Sequence, residues 1–270
     1  MIFADYHVHT GFSGDCETGI PDIIAKAKQI GMKSICFTDH NDMDYPDTHE
    51  VIDFNLDIDN YIETLNRFRE KTNGLDIRIG VEQGVMPSTC ERLDSYSREH
   101  PGIDFIICSS HIVMDCDPYY PDYFEMCPDE KTAYRIYFET ILHNVTHFHD
   151  YNVYGHLDYI LRYGPTKADN FDAGDYMELF EEIFKHIIYD GKGIEINTGS
   201  LYRGMDFMHP HLDLLRLYHD MGGEIITVGS DTHDIEHLGY AFDRARELLL
   251  SEGFKYICEF KAMKPQFISI

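Results

Sequence analysis

Short runs rich in β-branched and aromatic residues alternate with longer helix-patterned segments along this chain. Such alternation is typical of successive βα units around a parallel sheet. Seven runs are predicted strands: Ile2–His7, Ser34–Thr38, Ile77–Glu82, Phe105–Ser109, Val153–Gly155, Gly193–Asn197 and Ile225–Gly229. The predicted helices between and after them are Ile20–Ile30, Tyr61–Lys71, Cys90–His100, Thr132–His149, Met177–Tyr189, His211–Met221 and Ala241–Leu250. Two architectures fit this pattern, a closed barrel and an open doubly wound sheet.

Each predicted strand ends in polar side chains suited to metals or phosphate. In a barrel such residues meet at the C-terminal mouth of the strands, whereas an open sheet gathers them mainly at one crevice. The seven strand ends are Asp5-Tyr6-His7-Val8-His9, Thr38-Asp39-His40, Glu82, Ser109-Ser110-His111, Gly155-His156-Leu157-Asp158, Glu195-Ile196-Asn197 and Gly229-Ser230-Asp231-Thr232-His233. A barrel accounts for all of them at once. We therefore predict one α/β barrel domain over residues 1–270.

Histidine is abundant, with sixteen residues, and imidazole is the usual transition-metal ligand in proteins. His7 and His9 are two residues apart on a strand, so their rings point to the same face. Asp5 shares that face, where it would either ligate weakly or orient a ligating histidine through the second ring nitrogen. Alone, the pair would equally suit a core or a surface position.

Glu82 follows an apolar run, where a buried carboxylate is costly without a cation. The alternative is an acid at an exposed loop start. Two oxygens allow a carboxylate to bridge two divalent ions, which is the role we expect for Glu82. Asp231 and His233 repeat the spacing of two residues. Three further histidines directly follow predicted strands, namely His40, His111 and His156. Together these positions predict a multinuclear metal site.

These motifs, in order, resemble those of the polymerase and histidinol phosphatase (PHP) superfamily from residue 2 to about residue 240. Within it the chain resembles the stand-alone histidinol-phosphate phosphatases in its length and in the segments 155–159 and 195–199. The resemblance implies a distorted seven-unit (β/α)7 TIM-like barrel with the metal site at the C-terminal mouth. That agrees with the strand count reached from the residues.

The resemblance also implies three divalent metal ions. One would be held by His7, His9, Glu82 and Asp231, a second by Glu82, His111 and His156, and a third by Asp15, His40 and His233. Some relatives have histidine where this chain has Asp15. A carboxylate at that position favours manganese, iron or magnesium, and zinc is also compatible with the donor set.

The implied activity is a metal-dependent phosphomonoesterase that converts L-histidinol phosphate to L-histidinol and phosphate, a step of histidine biosynthesis. Attack by a metal-bridging hydroxide would require no covalent phosphoenzyme. Arg162 and Arg203 are predicted to bind the phosphate, with ordinary surface arginines as the alternative. Asp39 and Asp158 are candidates for the general acid or for orienting roles. Alternative functions are a phosphatase of phosphotyrosine or a nucleotide, a nuclease, and a non-catalytic metal-binding regulatory domain.

Composition restricts the partners of the chain. Lysine and arginine total 22 against 48 acidic residues, a net charge of −26 with no basic run, so we expect no nucleic-acid partner. No apolar stretch approaches the ~18 to 20 residues that span a bilayer, and the start lacks a secretory signal pattern. Seven scattered cysteines without a CxxC pair indicate reduced thiols and a cytoplasmic location. The oligomeric state stays open.

Two other features of the sequence have alternative interpretations. His143 and His147 have the i, i+4 spacing of a metalloprotease helix, but Asn144 replaces the expected glutamate, so a helix surface is favoured. The aromatic segment 112–128 would form either a lid over the substrate or a simple cover of the barrel.

Overall fold

The computed structural model describes residues 2, 4–46 and 52–270. Its strands are β1 (Ala4–Val8), β2 (Ser34–Phe37), β3 (His40–Asp42), β4 (Asp76–Gly84), β5 (Phe105–Ser109), β6 (Val153–Tyr154), β7 (Gly193–Asn197), β8 (Ile226–Gly229), β9 (Tyr256–Lys261) and β10 (Lys264–Ser269). Its α-helices are α1 (Ile20–Gln29), α2 (Ile58–Lys71), α3 (Cys90–Leu93), α4 (Tyr96–Glu99), α5 (Asp122–Glu125), α6 (Glu130–His147), α7 (Met177–Tyr189), α8 (Gly199–Tyr202), α9 (Leu212–Asp220) and α10 (Phe242–Ser251). Part of the first predicted strand, at Phe3, lies outside the described residues.

The seven predicted strands are β1, β2, β4, β5, β6, β7 and β8, and they pair in parallel in that order. Strand β3, which was not predicted, extends the pairing along β4. The two ends of the sheet approach each other where the His9 N–H donates to the Thr232 carbonyl at 3.0 Å, beside a parallel bridge between Val8 and Thr232. The sheet is thus a nearly closed barrel, which confirms the predicted fold class.

Most predicted helices lie within three residues of their expected bounds, but Cys90–His100 is divided into α3 and α4. The break occurs at Asp94 and Ser95, whose backbone leaves the helical region. The Asp94 carboxylate accepts the backbone N–H groups of His149 and Asp150, which follow α6. This contact with a distant segment overrides a local helical pattern. In the described ranges no helix is both long and apolar enough to cross a membrane.

Apolar side chains form two clusters. One lies between the sheet and the surrounding helices, and the other lies inside the barrel near the N-terminal ends of its strands. In the second cluster, inward-facing residues of the parallel strands pack against Cys258 and Phe260 of β9. The residues from the parallel strands are Ala4, Tyr6, Cys36, Phe105, Ile107 and Val153. Strands β9 and β10 form an antiparallel hairpin that was not predicted. Its turn uses Ala262 and Met263 at positive φ instead of the Asn-Gly pair that marks such turns in sequences.

The β9–β10 hairpin closes the N-terminal end of the barrel. The Tyr6 hydroxyl donates to the Phe260 carbonyl at 3.1 Å and accepts the Phe260 N–H at 2.9 Å. The hairpin turn is attached to the residue before β5, because the Met263 N–H donates to the Asp104 carbonyl at 2.9 Å. The opposite end, where the polar strand ends meet, is therefore the open mouth.

Candidate functional site

The predicted site residues converge at the C-terminal mouth of the barrel. A cavity of about 420 Å³ opens there. Its lining includes nine of the eleven predicted site residues: Asp15, His40, Glu82, His111, His156, Arg162, Arg203, Asp231 and His233. The other two, His7 and His9, are fully buried beside the same acidic groups. The sequence therefore identified one spatial cluster from positions far apart in the chain.

One oxygen of Glu82 faces three histidines. Glu82 Oε2 lies 3.1 Å from His7 Nε2, 3.4 Å from His9 Nε2 and 3.1 Å from His40 Nδ1. The carboxylate is fully buried, because β4 continues past the predicted strand end and carries Glu82 into the barrel.

The other oxygen of Glu82 faces a second pair of histidines. Glu82 Oε1 lies 3.2 Å from His111 Nε2 and 2.9 Å from His156 Nε2, and it accepts a hydrogen bond from Ser109 Oγ at 2.7 Å. Because each oxygen addresses a different group of imidazoles, the carboxylate has the geometry of a bridge between two cation positions.

The donor atoms themselves fit divalent ions. His7 Nε2, His9 Nε2, His40 Nδ1 and Glu82 Oε2 are buried and have no hydrogen-bond partner among the described residues. Two ligands about 2.1 Å from a tetrahedral ion lie roughly 3.4 Å apart. The nitrogen-to-oxygen separations of 3.1 and 3.4 Å are close to that value. A cation beside His7 Nε2, His9 Nε2 and Glu82 Oε2 would satisfy these three atoms.

The two remaining acids lie at the edge of this cluster. Asp231 Oδ1 is 3.9 Å from His7 Nε2 and 3.7 Å from His9 Nε2. Asp231 has a positive φ of 53°, a left-handed conformation that aspartate tolerates better than most residues. Asp15 Oδ2 is 3.2 Å from His233 Nε2 and 3.7 Å from His40 Nε2.

Ligand atoms within 4.8 Å of one another form four overlapping groups in the described residues. Two of them, His7 with His9 and Glu82, and Glu82 with His111 and His156, lie within the first two predicted ligand sets. The other two are His9 with His40 and His233, and His40 with Asp42 and His111. Asp42 was not predicted, although it stands two residues after His40 on β3, the same spacing that singled out His7 and His9.

Comparison with known proteins agrees with this geometry. A model of the PHP domain matches residues 5–199, well over half of the chain. The chain belongs to the PHP domain family. It is 31% identical to the histidinol-phosphatase of Lactococcus lactis subsp. lactis, over 96% of this chain and 95% of that protein.

Two solved structures share the architecture. A crystal structure of the histidinol phosphate phosphatase from Lactococcus lactis subsp. lactis, complexed with zinc, L-histidinol and phosphate, matches with a TM-score of 0.86 and 29% identity, covering 97% of this chain and 98% of that one. A protein of Listeria monocytogenes matches with a TM-score of 0.77 at 16% identity, covering 89% and 99%, and it shares the fold.

Carboxylates hold the imidazoles of this PHP site in place through their second ring nitrogens. Glu195 Oε1 lies 2.6 Å from His7 Nδ1, and Asp42 Oδ1 lies 2.6 Å from His111 Nδ1. Such a partner fixes the ring orientation and raises the basicity of the ligand. Asp5, considered for this role, instead accepts the Ser230 N–H and hydroxyl, so its carboxylate joins β1 to the end of β8.

A glycine makes room for one of these pairs. A Cβ at Gly229 would clash with Glu195 Oε1 and with the His7 Cβ. Only a glycine therefore lets β8 pass this close to the buried pair of β1 and β7.

Opposite charges in the PHP site strongly influence its titratable groups. Burial opposes a charge on His7, but Glu195, Glu82 and Asp231 hold its pKa well above the usual range. Burial raises and the surrounding histidines lower the pKa of Glu82, which stays well below its usual value. The pKa of His9 lies well below the usual range because of burial and the neighbouring His233 and His40. The buried acids thus require positive charge, from protons or from metal ions.

The two predicted arginines lie together on one side of the PHP cavity. Arg203 Nη1 donates to Asp231 Oδ2 at 2.9 Å, and Arg162 Nη2 lies 3.5 Å from the same oxygen. Arg162 is 8% exposed, and its Nε and Nη2 have no hydrogen-bond partner among the described residues. A buried guanidinium with unused donors next to an open cavity is suited to bind an anion.

The two candidate general acids are engaged elsewhere. Asp39 accepts hydrogen bonds from the Thr10 N–H at 2.6 Å and from the Ser13 hydroxyl at 2.8 Å. Asp158 Oδ1 lies 2.6 Å from His209 Nδ1. Neither is part of the cavity lining. Of the two interpretations left open by the sequence, the geometry favours an orienting role for both.

The aromatic segment 112–128 contributes both to the core and to the cavity wall. Tyr123 is fully buried and donates its hydroxyl proton to the Ala133 carbonyl at 2.8 Å. Tyr119 and Tyr120 line the cavity. By contrast, His143 and His147 stack on each other on α6 and are not part of this lining.

Proposed function

We propose that this PHP chain is a metal-dependent phosphomonoesterase that hydrolyses L-histidinol phosphate to L-histidinol and phosphate. The observation that carries the proposal is the junction, in one cavity, of a histidine and carboxylate cluster centred on Glu82 with the arginine pair Arg162 and Arg203. The similar Lactococcus protein, named for this activity and crystallised with zinc, L-histidinol and phosphate, supports the choice of substrate.

The proposed ligands of three divalent ions are the nine metal-binding residues predicted from the sequence: His7, His9, Asp15, His40, Glu82, His111, His156, Asp231 and His233. Zinc, manganese and iron all suit a set of imidazoles and carboxylates. When bound, such ions polarise phosphoryl oxygens and lower the pKa of water, so the reaction needs no nucleophilic side chain. Glu195 and Asp42 orient His7 and His111 toward the ions.

The arginines provide the protein's own contribution to phosphate binding. We propose that Arg162 and Arg203, which both line the cavity, bind the phosphoryl oxygens, and that Arg203 also keeps Asp231 in position. Charge-assisted contacts of this kind hold the ester in one orientation and stabilise the negative charge of the transferred group.

The decisive experiment measures phosphate release from L-histidinol phosphate, phosphotyrosine and p-nitrophenyl phosphate, with and without a chelator. We expect L-histidinol phosphate to give the highest kcat/KM, the chelator to abolish activity, and added metal to restore it. Activity that survives complete metal removal would refute the metal mechanism, and a preference for phosphotyrosine would refute the substrate. A phosphorylated residue trapped during turnover would contradict direct hydrolysis.

We also propose a reducing, cytoplasmic location and a small-molecule partner. All seven cysteines are free thiols and six of them are buried, an arrangement typical of reducing compartments.

A further inference from the structure

Asp117 is a buried carboxylate in the cavity wall, and it has no basic partner among the residues that the structure describes. Asp117 lines the cavity and is 9% exposed. Its Oδ1 accepts the Tyr119 N–H at 2.8 Å and its Oδ2 accepts the Tyr45 hydroxyl at 2.8 Å. Within residues 2, 4–46 and 52–270, no lysine, arginine or histidine nitrogen lies within 4.0 Å of this carboxylate. A carboxylate offers about four lone-pair positions, so roughly half of its accepting capacity is unused.

Aromatic rings connect Asp117 with the histidine cluster along one side of the cavity. Ring centroids are 5.1 Å apart for His156 and Tyr159, 5.0 Å for Tyr159 and Tyr163, and 5.4 Å for Tyr163 and Tyr119. This first aromatic arc therefore begins at a proposed metal ligand and ends at the residue whose N–H donates to Asp117.

A second aromatic arc covers the other side. Phe54 lies 5.2 Å from the His40 ring and 4.7 Å from the Tyr45 ring, between centroids. Tyr45 in turn donates to Asp117. The carboxylate is thus the point where the two aromatic arcs meet. Arg162 lies farther along the first arc, over the rings of Tyr159 at 5.3 Å and Tyr163 at 5.9 Å.

The cavity wall contains both kinds of group that a zwitterionic ester needs, cationic side chains for its phosphate and an anionic side chain for its ammonium group. Arg162 and Arg203 contact Asp231 beside the histidine cluster, on the side suited to phosphate. Burying a carboxylate without a counter-charge is costly, and burial raises the pKa of Asp117. Aromatic faces attract cations, so the walls next to Asp117 suit an ammonium group as well.

We propose that Asp117 is a specificity-determining residue that binds the ammonium group of the leaving alcohol. The substrate class is phosphate esters of amino alcohols, held with the phosphate at the arginines and the ammonium at Asp117, between the aromatic arcs. This inference rests on the proposed phosphomonoesterase function.

The test compares L-histidinol phosphate with 3-(imidazol-4-yl)propyl phosphate, which lacks only the ammonium group. The selectivity is the ratio of their kcat/KM values. We expect Asp117→Asn to lower this ratio at least about tenfold, because a charge-assisted contact is lost from one substrate only. Glu125→Gln removes a negative charge at an exposed position of α5, in the same segment as Asp117. It should leave the ratio as in the unmodified protein. A ratio changed less than about twofold by Asp117→Asn would overturn the proposal.

Two further measurements separate this role from a structural one and from the activity itself. Tyr45→Phe removes a hydrogen bond to Asp117 but keeps the carboxylate, so the selectivity should fall much less than in Asp117→Asn. Equal losses of selectivity in the two variants would mean that Asp117 only positions Tyr45. Calorimetry of L-histidinol against 3-(imidazol-4-yl)propanol needs no turnover. Binding preference for L-histidinol that depends on Asp117 would support the inference even if hydrolysis failed, whereas no such preference would refute it.

Discussion

At the scale of single residues, the site combines histidines at the strand ends with carboxylates from other, non-adjacent strands that contact their rings. The parity rule identified His7 with His9 from the sequence, because it depends only on strand geometry. Asp231 and His233 have the same spacing but follow the end of β8, and Asp231 has a left-handed backbone, so strand parity does not explain their position. Glu195 was visible as a strand-end acid, but its contact with His7 depends on how β7 lies across from β1 in the barrel. Sequence patterns along one strand contain no such information.

Glu195→Gln tests the importance of this cross-strand contact. The neutral amide is a weaker acceptor for His7 Nδ1, so His7 should become a poorer ligand and metal affinity should fall about ten- to a hundredfold. Metal retention against a series of chelator concentrations measures the effect, with Glu181→Gln, at an exposed position of α7, as the control. Equal retention by both variants would show that Glu195 does not support metal binding.

Arg203→Ala tests the phosphate side of the cavity. Loss of a charge-assisted contact costs about 1.5 to 3 kcal/mol, so kcat/KM for L-histidinol phosphate should fall about tenfold or more. Arg244→Ala, on the exposed face of α10, provides the control. A decrease below ~2-fold would remove Arg203 from the proposed binding site.

At the scale of elements, the alternation of strands and helices was sufficient to predict the seven parallel strands, because each has an apolar run and a polar end. Two departures have physical causes. Asp94 breaks a helix through its contacts with the chain after α6, and the β9–β10 hairpin turns at Ala262 and Met263, which carry no turn signal. Both depend on tertiary contacts that no local pattern contains.

Phe260→Ala tests the contribution of the hairpin. Phe260 is 2% exposed and packs against Phe105, with ring centroids 5.0 Å apart. Removing such a ring should lower the free energy of unfolding by about 3 to 5 kcal/mol. Chemical denaturation measures this, and Phe267→Ala on the half-exposed β10 should have a much smaller effect. Similar effects of the two substitutions would contradict a sealing role for β9.

At the scale of the whole molecule, the net charge of −26 contrasts with the local charge of the site. Three divalent ions would change the total only to −20, yet they would neutralise Glu82, which five histidines surround, and the other acids of the site. The overall charge therefore disfavours polyanions, while the cavity attracts one small phosphate ester.

Metal removal should destabilise the whole fold, because the ligands come from strands all around the barrel. An ion at 100 times its dissociation constant stabilises the native state by about 2.7 kcal/mol, which corresponds to roughly 5 to 10 °C in Tm for a chain of this size. Calorimetric scans with and without chelator check this, and readded metal should reverse the shift. An unchanged Tm in demonstrably metal-free protein would contradict it.

The closed lower end of the barrel also has a kinetic consequence. With Tyr6, Phe105 and Phe260 sealing that end, substrate and both products pass through the same mouth. Under the proposed orientation, phosphate lies beside the buried histidines and the alcohol lies beside Tyr119, which is 58% exposed, so the alcohol should depart first and phosphate last. Phosphate should accordingly inhibit competitively against the ester, whereas L-histidinol should inhibit noncompetitively.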